Sequence, residues 1–108
     1  MAYNLSRLAI LIAEDNQFVR QLLRGVLAGF GIRNINEAAD GADALEALKN
    51  WTPDLVFADW EMAPMDGLEL TKRIRLHENE LLRFLPIVMV SSHTTMDRIT
   101  TARDAGIT

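Results

Sequence analysis

The sequence predicts an α/β fold, a doubly wound parallel sheet, on the basis of two features. Short apolar runs such as "LAILIA" (8–13) and "DLVFAD" (54–59) lack polar alternation, which is typical of strands covered on both faces. Amphipathic stretches with helical periodicity separate these runs. Strands that alternate with helices indicate parallel pairing with right-handed crossovers, and therefore helices on both faces of one sheet.

The first half of the chain contains clear helix boundaries. Asn16 follows the first strand and is a residue type common at helix N-caps. Apolar residues at helical spacing then extend to Phe30, and Gly31 is the predicted stop. The next run, "RNINEA" (33–38), is short and polar, which favours a strand at the sheet edge.

The second half repeats the pattern. Asp40 is predicted to cap a helix that ends near Asn50, and Asp66-Gly67 indicates a turn before a helix that carries Ile74. The last predicted elements are a strand, "PIVMVSS" (86–92), and a helix with Met96, Ile99, Ala102 and Ala105 along one side. The predicted order is βαβαβαβα.

Composition limits the classes of function. The 108 residues are enough for a single domain, 1–108, and 49% of them are apolar. The net charge is −4 with scattered basic residues, which argues against binding to nucleic acid. The absence of cysteine excludes disulfides, thiolate zinc sites and cysteine nucleophiles. The apolar run 8–13 is too short for a signal peptide or a membrane span, so we expect a soluble cytoplasmic domain.

Polar side chains end three of the predicted strands. Glu14 and Asp15 follow the first strand, Asp59 ends the third, and Ser91 and Ser92 end the fourth. Neighbouring parallel strands lie about 4.8 Å apart, and ligands of such sheets bind beyond the carboxyl ends of the strands. We therefore expect these side chains to form one site.

Carboxylates in such a site repel one another unless a proton or a cation lies among them. An oxygen-only site with few protein ligands suits Mg²⁺. A carboxylate beside the ion can bind metal only, act as a base, or attack phosphorus; alternatively, these are ordinary acids facing solvent. The first turn, "AEDNQ" (13–17), has no glycine, so a nucleotide cofactor is not expected.

Three segments of the chain resemble the landmark segments of two-component response regulator receiver domains (CheY-like). They are "LIAEDN" (11–16), "DLVFADWEMAPMDG" (54–67) and "PIVMVSS" (86–92). The resemblance spans essentially the whole chain. It implies a flavodoxin-like receiver fold with strand order 2-1-3-4, followed in the family by a fifth strand and helix.

The resemblance also implies roles for the acidic residues. Asp59 corresponds to the phosphoacceptor, and Glu14 and Asp15 to the acidic pair that holds Mg²⁺, with Asp15 as the more direct ligand. Asp59 itself and the backbone carbonyl of Glu61 would complete the protein's share of the metal ligands.

Three further positions correspond to residues that handle the phosphoryl group. Ser91 matches the hydroxyl residue that bonds the phosphoryl group and reports its arrival. Glu61 and His93 match positions that tune how long the phosphoryl group survives. The alternative is that Glu61 and His93 are polar loop residues with no kinetic effect.

The chain departs from the family pattern near Asp59 and at its lysines. The usual proline is displaced, giving Ala63-Pro64, and we expect a reshaped loop. The family has a lysine at the end of the fifth strand that pairs with the phosphoryl group. The only lysines here are Lys49 and Lys72, both on predicted helices.

The family's fifth strand and fifth helix are absent from this sequence, so we expect a C-terminally incomplete receiver. Without them, the fourth strand would be an open edge that can pair with another chain. Part of the first helix, on the side of Phe18, Leu22 and Val26, would be uncovered. We therefore expect self-association through the fourth-strand edge or this helix face.

The expected function is signalling rather than enzymatic. A histidine kinase or phosphotransfer protein would phosphorylate Asp59, and the change would switch a face that binds a downstream effector domain or protein. One alternative is a degenerate receiver used as a docking scaffold. Another is an aspartate-nucleophile phosphatase, since Asp59-Trp60-Glu61 loosely resembles an Asp-x-Asp motif; that motif, however, belongs on a first strand.

Overall fold

A computed structural model describes residues 5–90 and 96–108. Within them, four parallel strands form one sheet in the order β2-β1-β3-β4. The strands are β1 (Ala9–Ala13), β2 (Asn34–Ala38), β3 (Leu55–Asp59) and β4 (Ile87–Val90). The doubly wound parallel class and the strand order are therefore confirmed.

Five α-helices connect or follow these strands. They are α1 (Gln17–Gly29), α2 (Gly41–Leu48), α3 (Gly67–Arg75), α4 (Glu80–Arg83) and α5 (Met96–Ala105), and a 3₁₀ turn spans Leu5–Arg7. The predicted order was incomplete because it lacked α4 and the 3₁₀ turn. Each is too short to show helical periodicity in the sequence. In the described ranges, no helix has the length and apolarity needed to cross a membrane.

The predicted boundaries of α1 are confirmed by its caps. The Asn16 side chain accepts hydrogen bonds from the backbone N–H groups of Phe18 and Val19, at 2.9 and 3.2 Å. Gly31 has φ +89°, a conformation that glycine adopts at little cost after a helix. Helix α2 ends two residues before the predicted Asn50.

The helices cover the two faces of the sheet. Helix α1 packs Leu23 and Leu27 against a cluster that includes Ile10 and Ile12 of β1. On the other face, the buried side chains of α2 and α3 form a second cluster with the central strands. Its members include Leu11, Ala44, Leu48, Val56, Leu70, Ile74 and Ile87. This layering holds β1 and β3 side by side and places their carboxyl ends at one edge.

The expected uncovered surfaces are present in part. Phe18 and Leu22 on α1 are 83% and 67% exposed. The outer edge of β4, however, is not fully open, because Thr108 lies along its start. The N–H of Thr108 donates to the Ile87 carbonyl at 3.0 Å, and the N–H of Ile87 donates to the Thr108 Oγ1 at 3.0 Å. The expected open edge is therefore limited to the rest of β4.

Helix α3 begins in close contact with β3. Asp66, predicted as a turn residue, is the N-cap, and its Oδ1 accepts from the Glu69 N–H at 2.8 Å. A Cβ added to Gly67 would collide with the backbone carbonyl of Asp59 and lie 2.8 Å from the Met89 sulfur. Only a residue without a side chain permits this approach.

We predict that Gly67→Ala lowers the free energy of unfolding by about 1–3 kcal/mol, because overpacking displaces rigid backbone. The matched control is Gly25→Ala, since Gly25 is an exposed residue of α1 with nothing within 4 Å of an added Cβ. This control should raise the free energy of unfolding by about 0.5–1 kcal/mol. Urea unfolding measures both, and equal effects at the two glycines would contradict the prediction.

Candidate functional site

Three carboxylates meet at the carboxyl edge of the sheet, as the sequence predicts. Glu14 and Asp15 directly follow β1, and Asp59 is the last residue of β3. The two strands are hydrogen-bonded neighbours, with Ala13 opposite Ala58. One carboxylate oxygen from each of the three acids lies within 4.8 Å of the others.

The three acids differ in burial. Glu14 is only 4% exposed, Asp59 is half-buried and Asp15 is exposed. Burial raises the pKa of Glu14 to about 7; a hydrogen bond from the Asn16 N–H opposes this shift, and the neighbouring acids Asp59 and Asp15 add to it. The Glu14 carboxyl group is therefore partly protonated near neutral pH when no cation is bound.

Asp59 is affected by the same neighbours. Burial raises its pKa; hydrogen bonds from the Glu61 backbone and the Glu14 side chain oppose the shift, and the charges of Asp15 and Glu61 add to it. Asp59 raises the pKa of Glu14, whereas the hydrogen bond from Glu14 lowers the pKa of Asp59. A protonated Glu14 that donates to an ionised Asp59 explains these opposite signs. Both shifts favour protonation within the cluster when no cation balances its charge.

This donor set fits Mg²⁺. All three side chains offer the hard oxygen ligands that Mg²⁺ prefers, and one oxygen from each lies within 4.8 Å of the others. The exposure of Asp15 leaves one side of the cluster open to water, and Mg²⁺ usually keeps several water ligands.

An open depression of about 390 Å³ lies beside the cluster. It is lined by Asp15, Trp60, Glu61, Met62, Ala63 and Asp66. The displaced proline follows Ala63 in a cis peptide bond, so the loop that carries the departure from the family pattern forms a wall of the site. The depression opens to solvent beside Asp15 of the acidic cluster.

The backbone of Trp60 anchors this loop on both sides. Its N–H donates to the Val90 carbonyl at 3.1 Å, and its carbonyl accepts from the Gly67 N–H at 3.0 Å. The residue after Asp59 is therefore bonded to both β4 and α3, which limits the movement of Asp59 itself.

The other predicted site residues are placed only in part. Ser91 and His93 lie outside the described residues, so their roles stay predictions. Glu61 is exposed beside the cluster, and the role of its backbone carbonyl as a metal ligand likewise stays a prediction. Both lysines are associated with helices, as predicted: Lys49 is the C-cap of α2 and pairs with Glu46 at 2.8 Å, and Lys72 is in the last turn of α3.

The sequence reasoning missed Arg20. The Arg20 Nη1 donates to the backbone carbonyl of Glu14 at 2.7 Å, and its Nε donates to Glu37 at 3.0 Å. The available signal was a pair of arginines, Arg20 and Arg24, four residues apart on a helix with no other charged residue, and an acid near the end of the neighbouring edge strand.

Residues 10–108 match the model of the response regulator receiver domain family. The chain therefore belongs to this family, whose members are receiver modules of two-component signalling.

Curated relatives include chemotaxis proteins. The chain is 37% identical over 98 residues to chemotaxis protein CheY-3 of Vibrio cholerae, covering 91% of this chain and 74% of that protein. It is 35% identical over 98 residues to chemotaxis protein CheY of Pseudomonas aeruginosa, covering 91% and 77% respectively. These similarities support a CheY-like receiver domain.

Solved structures agree with this assignment. Chemotaxis protein CheY4 of Vibrio cholerae superimposes with a TM-score of 0.85 at 27% identity, covering 94% of this chain and 82% of that one. A response regulator from Chloroflexus aurantiacus gives a TM-score of 0.85 at 31% identity, covering 93% and 80%. The flavodoxin-like receiver fold is thus confirmed.

We predict that the metal-free chain loses stability as pH rises from 5 to 8. The pKa of Glu14 is about 7 in the folded chain, against an ordinary value of 4.5. Between these values the folded state keeps a proton that the unfolded state releases, so the contribution is complete below about 4.5 and lost as pH rises through 7.

The measurement is urea unfolding in a chelator at pH 5 and pH 8. Glu14→Gln cannot ionise and should reduce the difference between the two pH values, whereas Glu78→Gln, at an exposed glutamate, should keep it. The prediction fails if Glu14→Gln and the wild type show the same pH dependence.

Proposed function

We propose that this receiver domain accepts a phosphoryl group on Asp59 in a Mg²⁺-dependent reaction. The observation that supports the proposal is the carboxylate cluster, one oxygen of each member of which lies within 4.8 Å of the others and whose most buried member, Glu14, has a raised pKa. Without a cation, the carboxylates of such a cluster repel one another. One of them, Asp15, lines an open depression. Glu14, Asp15, Asp59 and the Glu61 carbonyl are the proposed metal ligands.

The proposed transfer begins with a phosphohistidine donor on a histidine kinase or phosphotransfer protein. An Asp59 carboxylate oxygen attacks phosphorus; the O–P bond forms while the P–N bond breaks, and the imidazole nitrogen keeps the electron pair and takes up a proton. Mg²⁺ held by these ligands would supply positive charge that balances the negative charge on the oxygens of the transferred group. The hydrogen bonds of Trp60 to β4 and α3 keep the nucleophile in position during the attack.

The remaining assignments belong to the same proposal. Ser91 would hydrogen-bond the transferred phosphoryl group, and Glu61 and His93 would tune its lifetime. A switched face would then bind a downstream effector domain or protein. The family is a signalling family, so neither the phosphatase nor the docking-scaffold alternative is favoured. A cytoplasmic location stays a prediction.

Self-association also stays a prediction. We infer that the exposed side of α1, with Phe18 and Leu22, can contact another copy of the chain, since burial of such side chains is favourable. Light scattering of the chain and of Leu22→Glu would test it, and equal masses for the two would contradict it.

We predict that Mg²⁺ or Mn²⁺ changes the fluorescence of Trp60, which lines the depression beside the cluster. Asp15→Ala should abolish the change, because too few anionic oxygens would remain to displace water from the ion. Asp104→Ala removes the same charge from the exposed surface of α5 and should leave the titration unchanged. An intact response in Asp15→Ala would contradict the assignment.

We predict that a small-molecule phosphodonor labels Asp59 alone. Asp59→Asn should remove the label, and Asp104→Asn should keep it. The label should be labile to base and more stable to acid than phosphohistidine. Mass spectrometry locates it, and a phosphoryl group on Ser91 or His93 would contradict the proposed mechanism.

A further inference from the structure

We propose that Arg20 is a positioning residue that holds the acidic pair Glu14–Asp15 in its metal-binding arrangement. The inference rests on the proposed function, because the arrangement matters only if the pair binds a cation. Arg20 would act through the backbone carbonyl of Glu14 and not by contact with the ion.

The Arg20 side chain extends from α1 to the end of the central strand β1 and to the edge strand β2. Its Nη1 donates to the Glu14 carbonyl at 2.7 Å, and its Nε donates to the Glu37 Oε1 at 3.0 Å. The side chain is only 19% exposed, and the Arg20 N–H donates to the Asn16 carbonyl at 3.0 Å within α1. The guanidinium group is therefore held by two hydrogen bonds, one to a residue of β2 and one to the residue that follows β1.

The bond to Glu14 lies where the strand pairing of β1 ends. Residues up to Ala13 pair with the neighbouring strands, and the Glu14 N–H still donates to the Ala38 carbonyl at 3.0 Å. The Glu14 carbonyl belongs to the peptide group that it shares with the N–H of Asp15. By fixing this peptide plane, Arg20 fixes the directions from which both acidic side chains begin.

If only charge mattered, Arg20 would weaken Mg²⁺ binding and not support it. A guanidinium group near a cation site repels the ion, so its removal would strengthen Mg²⁺ binding. Glu37, however, pairs with both Arg20 and Arg24 and so offsets part of this positive charge. Burial opposes ionisation of Glu37, yet hydrogen bonds and charge from Arg24 and Arg20 lower its pKa overall. Because Arg20 bonds the Glu14 carbonyl directly, we expect positioning to outweigh the repulsion that remains.

Arg24 is a matched control on the same helix. Its Nε donates to the other Glu37 oxygen at 2.6 Å, and its Nη2 donates to the Ile35 carbonyl at 2.8 Å. It thus has the same charge and the same acidic partner as Arg20, but its second bond goes to the middle of β2 and not to the acidic pair.

The experiment compares Arg20→Met and Arg24→Met in two measurements. The first is Mg²⁺ titration by tryptophan fluorescence: Arg20→Met should weaken binding about 10-fold, the usual effect of losing a group that orients a metal ligand, and Arg24→Met should not. Arg20→Lys keeps the charge but not the fork that reaches both partners, so it should also weaken binding. Thermal unfolding reports the general loss of stability in each variant.

The second measurement is amide hydrogen exchange of Asp15 and Asn16 in metal-free protein. Exchange should be faster in Arg20→Met than in Arg24→Met, because only the first variant frees the Glu14–Asp15 peptide group. Unchanged or tighter Mg²⁺ binding in Arg20→Met would overturn the inference. So would equal changes in both arginine variants that follow a common loss of stability.

The two proposals fail separately. If the wild type binds no Mg²⁺, the proposed function fails, and exchange at Asp15 and Asn16 still decides whether Arg20 holds the acidic pair. If the wild type binds Mg²⁺ and Arg20→Met binds it equally well, only the role of Arg20 is refuted.

Discussion

The repulsion among closely spaced carboxylates is the constraint on which this structure depends. The parallel sheet brings Glu14, Asp15 and Asp59 within 4.8 Å at one edge, and burial of Glu14 makes the charge harder to tolerate. A fold optimised for stability alone would place apolar or hydroxyl groups there. Here burial and crowding instead raise the pKa of Glu14 to about 7, and neighbouring residues hydrogen-bond the backbone beside the cluster.

The surrounding elements share this task. The Asn16 side chain caps α1, and the Asn16 N–H bonds the Glu14 carboxylate at 3.1 Å, so one residue starts the helix and restrains an acid. Arg20 bonds the Glu14 carbonyl from one turn further along α1. Around Asp59, the absence of a side chain at Gly67 lets α3 begin against the backbone. The contacts that hold the acidic side chains in place therefore involve mainly backbone groups.

Sequence reasoning was most successful where a residue pattern has a single structural solution. Unbroken apolar runs predicted the buried strands, and parallel topology alone placed three acids at one edge. It failed for α4, whose four residues show no periodicity, and for the partner of the β4 edge, because the bond of Thr108 to Ile87 depends on the path of the chain. Glu14 and Asp15 are adjacent acids in the sequence, and only packing distinguishes the buried one from the exposed one.

The bonding of Trp60 has a mechanical consequence. Its N–H is tied to Val90 and its carbonyl to Gly67, so the residue after Asp59 acts as a rigid joint between the end of β4 and the start of α3. The loop that follows Asp59 is therefore not free to move with a displacement of Asp59. Such a displacement would act on hydrogen bonds to two elements at once, one at the sheet edge and one on its face.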